Sequence, residues 1–182
     1  MTALIHAVSR RAGIALAVLS LLAATPLLAE DWIVAPAPTE DEPFDAAQTH
    51  SDGGDSLIVW SRPSASGVQV FAELHPAAGI AFAGTMPVYR VDEDEPVDTD
   101  VIRFKGEENN ALWGMAREHV AFWLLWQSSE AIALPGDPLH RWIQGRELEV
   151  SIPLADGSTR VMHFSLVGSG AAIQQATGVA LK

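Results

Sequence analysis

Acidic side chains dominate the chemistry this sequence offers. Asp92, Glu93, Asp94 and Glu95 are consecutive, with Asp98 and Asp100 close behind. Several carboxylates in one short stretch are what a hard cation such as Ca²⁺ requires. A helix–loop–helix calcium loop would need an acid or Asn two residues after Asp94 and then Gly, where the chain has Pro96 and Val97. A solvated acidic ridge that meets a partner is the expectation for Asp92, Glu93, Asp94 and Glu95, with a looser calcium site as the alternative.

Other constellations carry less. Gly168-Ser169-Gly170-Ala171-Ala172-Ile173 resembles a dinucleotide-binding turn, but Ile173 occupies the third glycine position and only nine residues follow it. That is too short for the helix, strand and ribose-binding acid of such a unit. A tight strand-to-helix turn is expected instead. His50, His75, His119, His140 and His163 are never within five residues of one another, so no local metal-binding pair exists. A site assembled from distant segments stays open. The chain has no Cys, which excludes thiolate zinc sites, iron–sulfur ligation and thiol redox chemistry. There is no G-x-S-x-G elbow. Glu147 and Glu149 share one strand face and read as solubilising on an edge strand. No catalytic residue, cofactor or metal ligand is assigned, and a non-enzyme is expected.

Elements able to position these residues are mostly short strands. Trp32-Ile33-Val34 reads as a first strand, and Ala35–Asp55 as a long polar loop with Pro36, Pro38 and Pro43. Leu57–Trp60 and Val68–Phe71 form a hairpin candidate across a Ser/Pro/Gly loop. Ile80–Phe82, Pro87–Val91 and Val101–Phe104 follow as strand candidates. Val120–Trp126 is continuously apolar and reads as a strand buried on both faces, although Met115, His119, Phe122 and Trp126 also fit helical spacing. Asp137, Pro138 and Gly145 bracket a short helix as N-cap, first position and stop. Glu147–Leu154 alternates polar and apolar, turns at Ala155–Ser158 and returns with Met162, Phe164 and Leu166 on one face. Pro153 suggests an edge strand or a strand end. A last helix over Ala171–Thr177 ends at Gly178. The fold expected is mainly β, an antiparallel sheet or sandwich with one or two short peripheral helices, including a C-terminal one.

The start of the chain reads as an export signal. Arg10 and Arg11 precede an apolar stretch to Ala29, after which Glu30-Asp31 restores polarity. Pro26 leaves only 14 uninterrupted apolar residues, Ala12 to Thr25, where a spanning helix needs roughly 20. Residues 1–29 are thus expected to be removed, leaving no membrane span. Residues 30–55 then supply the first strand and its Pro-rich acidic loop, and 56–182 the β-rich domain. Removal leaves 182 − 29 = 153 residues and 11 − 2 = 9 Lys/Arg against 23 Asp/Glu, a net charge of −14. That charge opposes nucleic acid and anionic membrane surfaces and favours a cationic partner. Without disulfides, six Trp and six Phe must supply core mass. An exposed aromatic platform is the alternative.

Gly145, Leu148-x-Val150, Pro153, Gly157, Phe164-Ser165-Leu166-x-Gly168 and Ala172-Ile173 resemble the closing segment of small exported proteins of the invasion-associated locus B type from Gram-negative bacteria. Trp32 matches their opening tryptophan strand. The resemblance implies a periplasmic or secreted β-rich domain with a non-enzymatic role, and it carries over no catalytic residue. The leading expectation is an exported envelope protein that binds a protein or ligand. Alternatives are an acidic periplasmic inhibitor of a cationic hydrolase, or a hydrolase with a dispersed site.

Overall fold

In the computed structural model, which describes residues 32–37, 44–65, 67–99 and 117–182, two antiparallel sheets share one core with two helices. The leader 1–29, the strand expected at Val101–Phe104, Asp100 and Trp113 lie outside the described residues. The larger sheet takes β1 (Ile33–Pro36), β2 (Asp45–His50), β3 (Ser56–Ser64), β4 (Gly67–His75) and β7 (Val120–Ser128) in that order. The smaller takes β5 (Val88–Val91), β6 (Val97–Asp98), β9 (Glu147–Pro153) and β10 (Thr159–Ser165), in the order β10-β9-β5-β6. A short parallel pair joins β8 (Ile132–Ala133) to β11 (Ala180–Leu181). The helices that lie within the described residues are α1 (Pro138–Gln144) and α2 (Ser169–Thr177).

Strand periodicity builds the core. Leu57 and Val59 of β3 stand opposite Leu74 and Ala72 of β4, and those in turn face Val120 and Phe122 of β7. All six are buried. From the other sheet come Tyr89, Leu148, Val150, Ile152, Met162 and Phe164. Where the layers meet, Trp142 of α1 stands edge-on to Tyr89 (5.5 Å) and Phe122 (6.0 Å), while Tyr89 stacks on Phe122 at 5.8 Å. Offset and edge-to-face pairs of this kind add to the area they bury. Burial pushes the Tyr89 hydroxyl pKa far above its usual value, against the opposing pull of Arg141. Val120 through Leu125 are all buried, so the apolar run is a strand buried on both faces. A register shift opposite Val70–Phe71 makes room for Leu124 and Leu125 together.

Trp32, Trp123 and Trp142 are buried, as expected of core tryptophans, whereas Trp60 is only half-buried. Trp60 lies on the outer face of the larger sheet in a row running Phe44–Trp60–Phe71–Trp123, with centroid spacings of 5.1, 4.5 and 6.0 Å.

Four readings of the sequence need correction. The stretch Ala35–Asp55, expected to be a loop, contains β2, because Ala47 and Gln48 are held between β1 and β3 by a pairing that weak local propensity does not foretell. Ser61–Ser64 also belongs to β3 rather than to the hairpin loop, and Ile80–Phe82 contributes a single bridge, Phe82 to Leu154. Asp137 occupies the N-cap position of α1, but its carboxylate accepts from the Leu134 N–H at 2.7 Å, closing the Pro135–Gly136 turn instead of capping the helix. Of the two expectations for Pro153 the strand end holds, since β9 is an interior strand between β10 and β5. There its missing N–H costs no ladder bond.

The sheets are also tied by one charged pair. Asp55, immediately before β3, accepts from Ser51 Oγ (2.9 Å), Ala77 N–H (2.9 Å) and the Arg160 guanidinium (2.9–3.1 Å), which reaches over from β10. Burial alone would raise the Asp55 pKa. The Arg160, Ala77 and Ser51 bonds outweigh it, and the net shift is downward.

Candidate functional site

Gly145 fixes how the strand bearing the candidate site leaves α1. A Cβ there would run into Val91 Cγ1 and lie 2.9 Å from Leu166 Cδ1, so only glycine lets the backbone pass between β5 and the end of β10. The next two residues, Arg146 and Glu147, are then held by Asp92. Its carboxylate accepts from the Arg146 N–H at 3.0 Å and the Glu147 N–H at 2.9 Å, and its own N–H donates to the Glu147 carbonyl at 2.9 Å. Asp92 does this from a left-handed backbone (φ 50°), a conformation that Asp tolerates better than most residues.

The four acids singled out from the sequence thus divide. Asp92 is a structural anchor whose oxygens are already in use. Glu93, Asp94 and Glu95 are exposed on the turn after β5. Asp98 is exposed on β6. Among the described residues no three His, Asp or Glu side chains converge in a way that would hold a metal ion.

Through Asp92 the acidic turn abuts an open cleft of about 400 Å³ lined by His50, Asp52, Arg146, Glu147, His163, Phe164 and Ser165. One wall is the end of β2 and the turn after it. The other is the start of β9 and the end of β10. Glu147 Oε1 lies 3.1 Å from His163 Nδ1, an ion pair whenever that imidazole is protonated. His50 Nδ1 is 3.0 Å from Ser56 Oγ. Glu149, on the same outer face as Glu147, pairs with Arg90 at 2.9 Å. Neither glutamate stands on an edge strand: across the sheet Glu149 meets the Arg90 guanidinium and Glu147 meets the His163 imidazole. With neutral imidazoles the cleft holds two carboxylates against one guanidinium, a setting for a cationic group. His140 lies elsewhere, in a smaller hollow of about 180 Å³ that Asp92 and Asp94 also line.

A second cluster was invisible in the sequence. On the outer face of the larger sheet His75 Nε2 sits 2.9 Å from Glu73 Oε1, an ion pair whenever that imidazole is protonated. His119, just before β7, stacks on His75 with centroids 5.6 Å apart. Trp60 Nε1 donates to Glu73 Oε2 at 3.2 Å. Burial works to raise the Glu73 pKa, but His75, then His119 and the Trp60 N–H, overcome it and leave the carboxyl below its ordinary value. The i, i+2 spacing of Glu73 and His75 places them on one strand face. Only the β4–β7 pairing brings His119 to them.

Gly168 and Ser169 play the structural part expected of them: Gly168 is left-handed (φ 88°) at the start of α2, and Ser169 Oγ donates to the Trp142 carbonyl at 3.1 Å. No family model, no curated protein and no solved structure matches the chain.

Proposed function

We propose that the chain is an exported, non-enzymatic binding protein of the cell envelope, periplasmic or secreted, whose acidic surface engages a cationic protein partner. The observation that carries this reading is the junction at Asp92. It joins the exposed acids Glu93, Asp94 and Glu95 to a cleft with Glu147 on one wall and Asp52 on the other. A net charge of −14 after removal of residues 1–29 would steer a basic partner toward the molecule at long range. The Arg10-Arg11 leader with its apolar core supports export, and so does the resemblance of the C-terminal third to locus B-type proteins. A basic lysozyme-like hydrolase held in check by the acidic surface is one such partner.

The test is binding of the exported chain to a basic lysozyme by calorimetry across a salt series. A complex that tightens at low ionic strength, and that weakens when Glu93, Asp94 and Glu95 are changed together to Gln, Asn and Gln, is the expected result. No binding to any basic protein at low salt would overturn the reading. Recovery of the chain from cytosol with residues 1–29 attached would overturn the export half of it.

A further inference from the structure

The ladder bonds of β10 show which of its backbone groups are spoken for. Leu166 N–H donates to the Arg146 carbonyl and Leu154 N–H to the Ser158 carbonyl, each at 2.8 Å, at either end of the β9–β10 pairing. Antiparallel pairs alternate between bonded and non-bonded. Within the register Arg160↔Ile152, Met162↔Val150 and Phe164↔Leu148, the even-numbered residues of β10 therefore bond to β9. Thr159, Val161, His163 and Ser165 turn their N–H and C=O groups the other way. On that side β10 has no neighbouring strand among the described residues, since it ends the four-strand order.

This edge is limited at both ends. The Ser165 carbonyl accepts from Trp32 Nε1 at 2.7 Å. Near the other end the Arg160 guanidinium reaches the Gly53 carbonyl at 3.3 Å as well as Asp55. Between them, Val161 and His163 lie in an unbroken register, with no Pro, Lys or bulge of the kind that normally blunts an edge. Both are about half exposed, Val161 at 52% and the His163 side chain at 56%. His163 also lines the cleft that carries Asp52 and Glu147.

We infer that the free edge of β10 takes an extended basic segment of the partner as an additional strand, bonding to the backbone of Val161 and His163 and placing a Lys or Arg side chain in the cleft between Asp52 and Glu147. This rests on the binding function proposed above and names the surface that performs it. Main-chain bonds along an open edge supply affinity, and side-chain pockets beside it supply selectivity. The two cleft carboxylates, and the acidic turn that Asp92 links to them, select a cationic strand over a second copy of this acidic chain.

The probe is an acetylated, amidated heptapeptide alternating lysine and valine, added to the exported chain at low salt. Affinity is read by calorimetry and backbone protection by hydrogen exchange. The expected result is slowed exchange at the Val161 and His163 amides and a loss of affinity of about tenfold or more in Val161→Pro. That substitution removes an N–H that β9 does not use, so the fold tolerates it. Val161→Lys, which keeps the N–H but charges the edge, serves as a second variant and weakens binding as well. Asp52→Asn with Glu147→Gln should reduce the preference for lysine over a glutamate–valine peptide. Peptide binding without protection of these amides, unaffected by Val161→Pro, would overturn the edge site while leaving a cation-binding protein in place. Loss of basic-protein binding altogether would instead remove the function beneath it. Dimerisation abolished by Val161→Pro, with no peptide binding, would assign the edge to a second copy and overturn the inference.

Discussion

Replacing Asp55 with Asn tests whether the Asp55–Arg160 pair ties the two sheets together. The substitution preserves volume but removes the charge, and an amide NH₂ then faces the donors of Arg160. In the native protein the Asp55 side chain is 1% exposed and that of Arg160 is 24% exposed. Removing one partner of a buried pair costs about 3–5 kcal/mol. Because Arg160 is partly wetted, the lower end applies, about 3 kcal/mol. For a domain of this size that corresponds to a fall in Tm of roughly 6–12 °C. A double-mutant cycle with Arg160→Met sharpens the test, since the double variant should cost clearly less than the sum of the singles. The pH dependence has a definite sign. The folded pKa of Asp55 is depressed below its ordinary 3.8, so the pair's stabilisation is fully present above that value. It is lost as pH falls through the lower folded pKa. Thermal melts followed by circular dichroism from pH 7 to pH 2 should show wild type and Asp55→Asn converging only in strong acid. A melt of Asp55→Asn within a degree of wild type at pH 7, or strict additivity in the cycle, would refute the role assigned to the pair.

Three further outcomes follow from the packing. Trp142→Ala, which empties the contact between α1, Tyr89 and Phe122, should cost about 3–5 kcal/mol in urea unfolding; a loss below 1 kcal/mol would mean the aromatic junction is not a principal part of the core. Gly145→Ala should cost about 1–3 kcal/mol through overpacking against Val91 and Leu166, and it should raise exchange at the Arg146 and Glu147 amides held by Asp92. Glu73→Gln should cost about 1 kcal/mol near pH 6. Its effect should vanish in acid, because the depressed Glu73 pKa makes that stabilisation present above the unfolded value of 4.5 and lost as pH falls through the folded one; a penalty that persists at pH 2 would point to packing instead of charge.

How legible each element was depended on the range of the interactions that form it. The β9–β10 hairpin was plain because Leu148, Val150 and Ile152 alternate with polar residues and Asp156-Gly157-Ser158 closes the turn. There the Asp156 carboxylate accepts from both the N–H and the hydroxyl of Ser158, which holds its pKa below the usual range. β7 was legible only in part, because its apolar run favoured a buried strand while His119, Phe122 and Trp126 also fit helical spacing; pairing with β4 settles it. β2 did not, because Asp45-Ala46-Ala47-Gln48 has little strand preference of its own. It exists because β1 and β3 satisfy its backbone from both sides. The candidate site was half visible. The acids at 92–95 announced themselves as a charge run, but nothing local showed that Asp92 is spent on the backbone of residues 146 and 147, or that Asp52 faces Glu147 across a cleft.

By itself the sequence determined the β-rich class, the two short helices, the final hairpin, the absence of thiol chemistry and the acidic excess. Each of these is written in composition, in alternation with period two, or in turn residues within a few positions of one another. Tertiary structure alone decided the strand order β10-β9-β5-β6, the place of β10 at the end of that order among the described residues, the Asp55–Arg160 tie and the Glu73–His75–His119 cluster. Each of these joins segments far apart in the chain, and which pairing prevails is set by burial and backbone hydrogen bonding over the whole molecule, a sum that no local window contains.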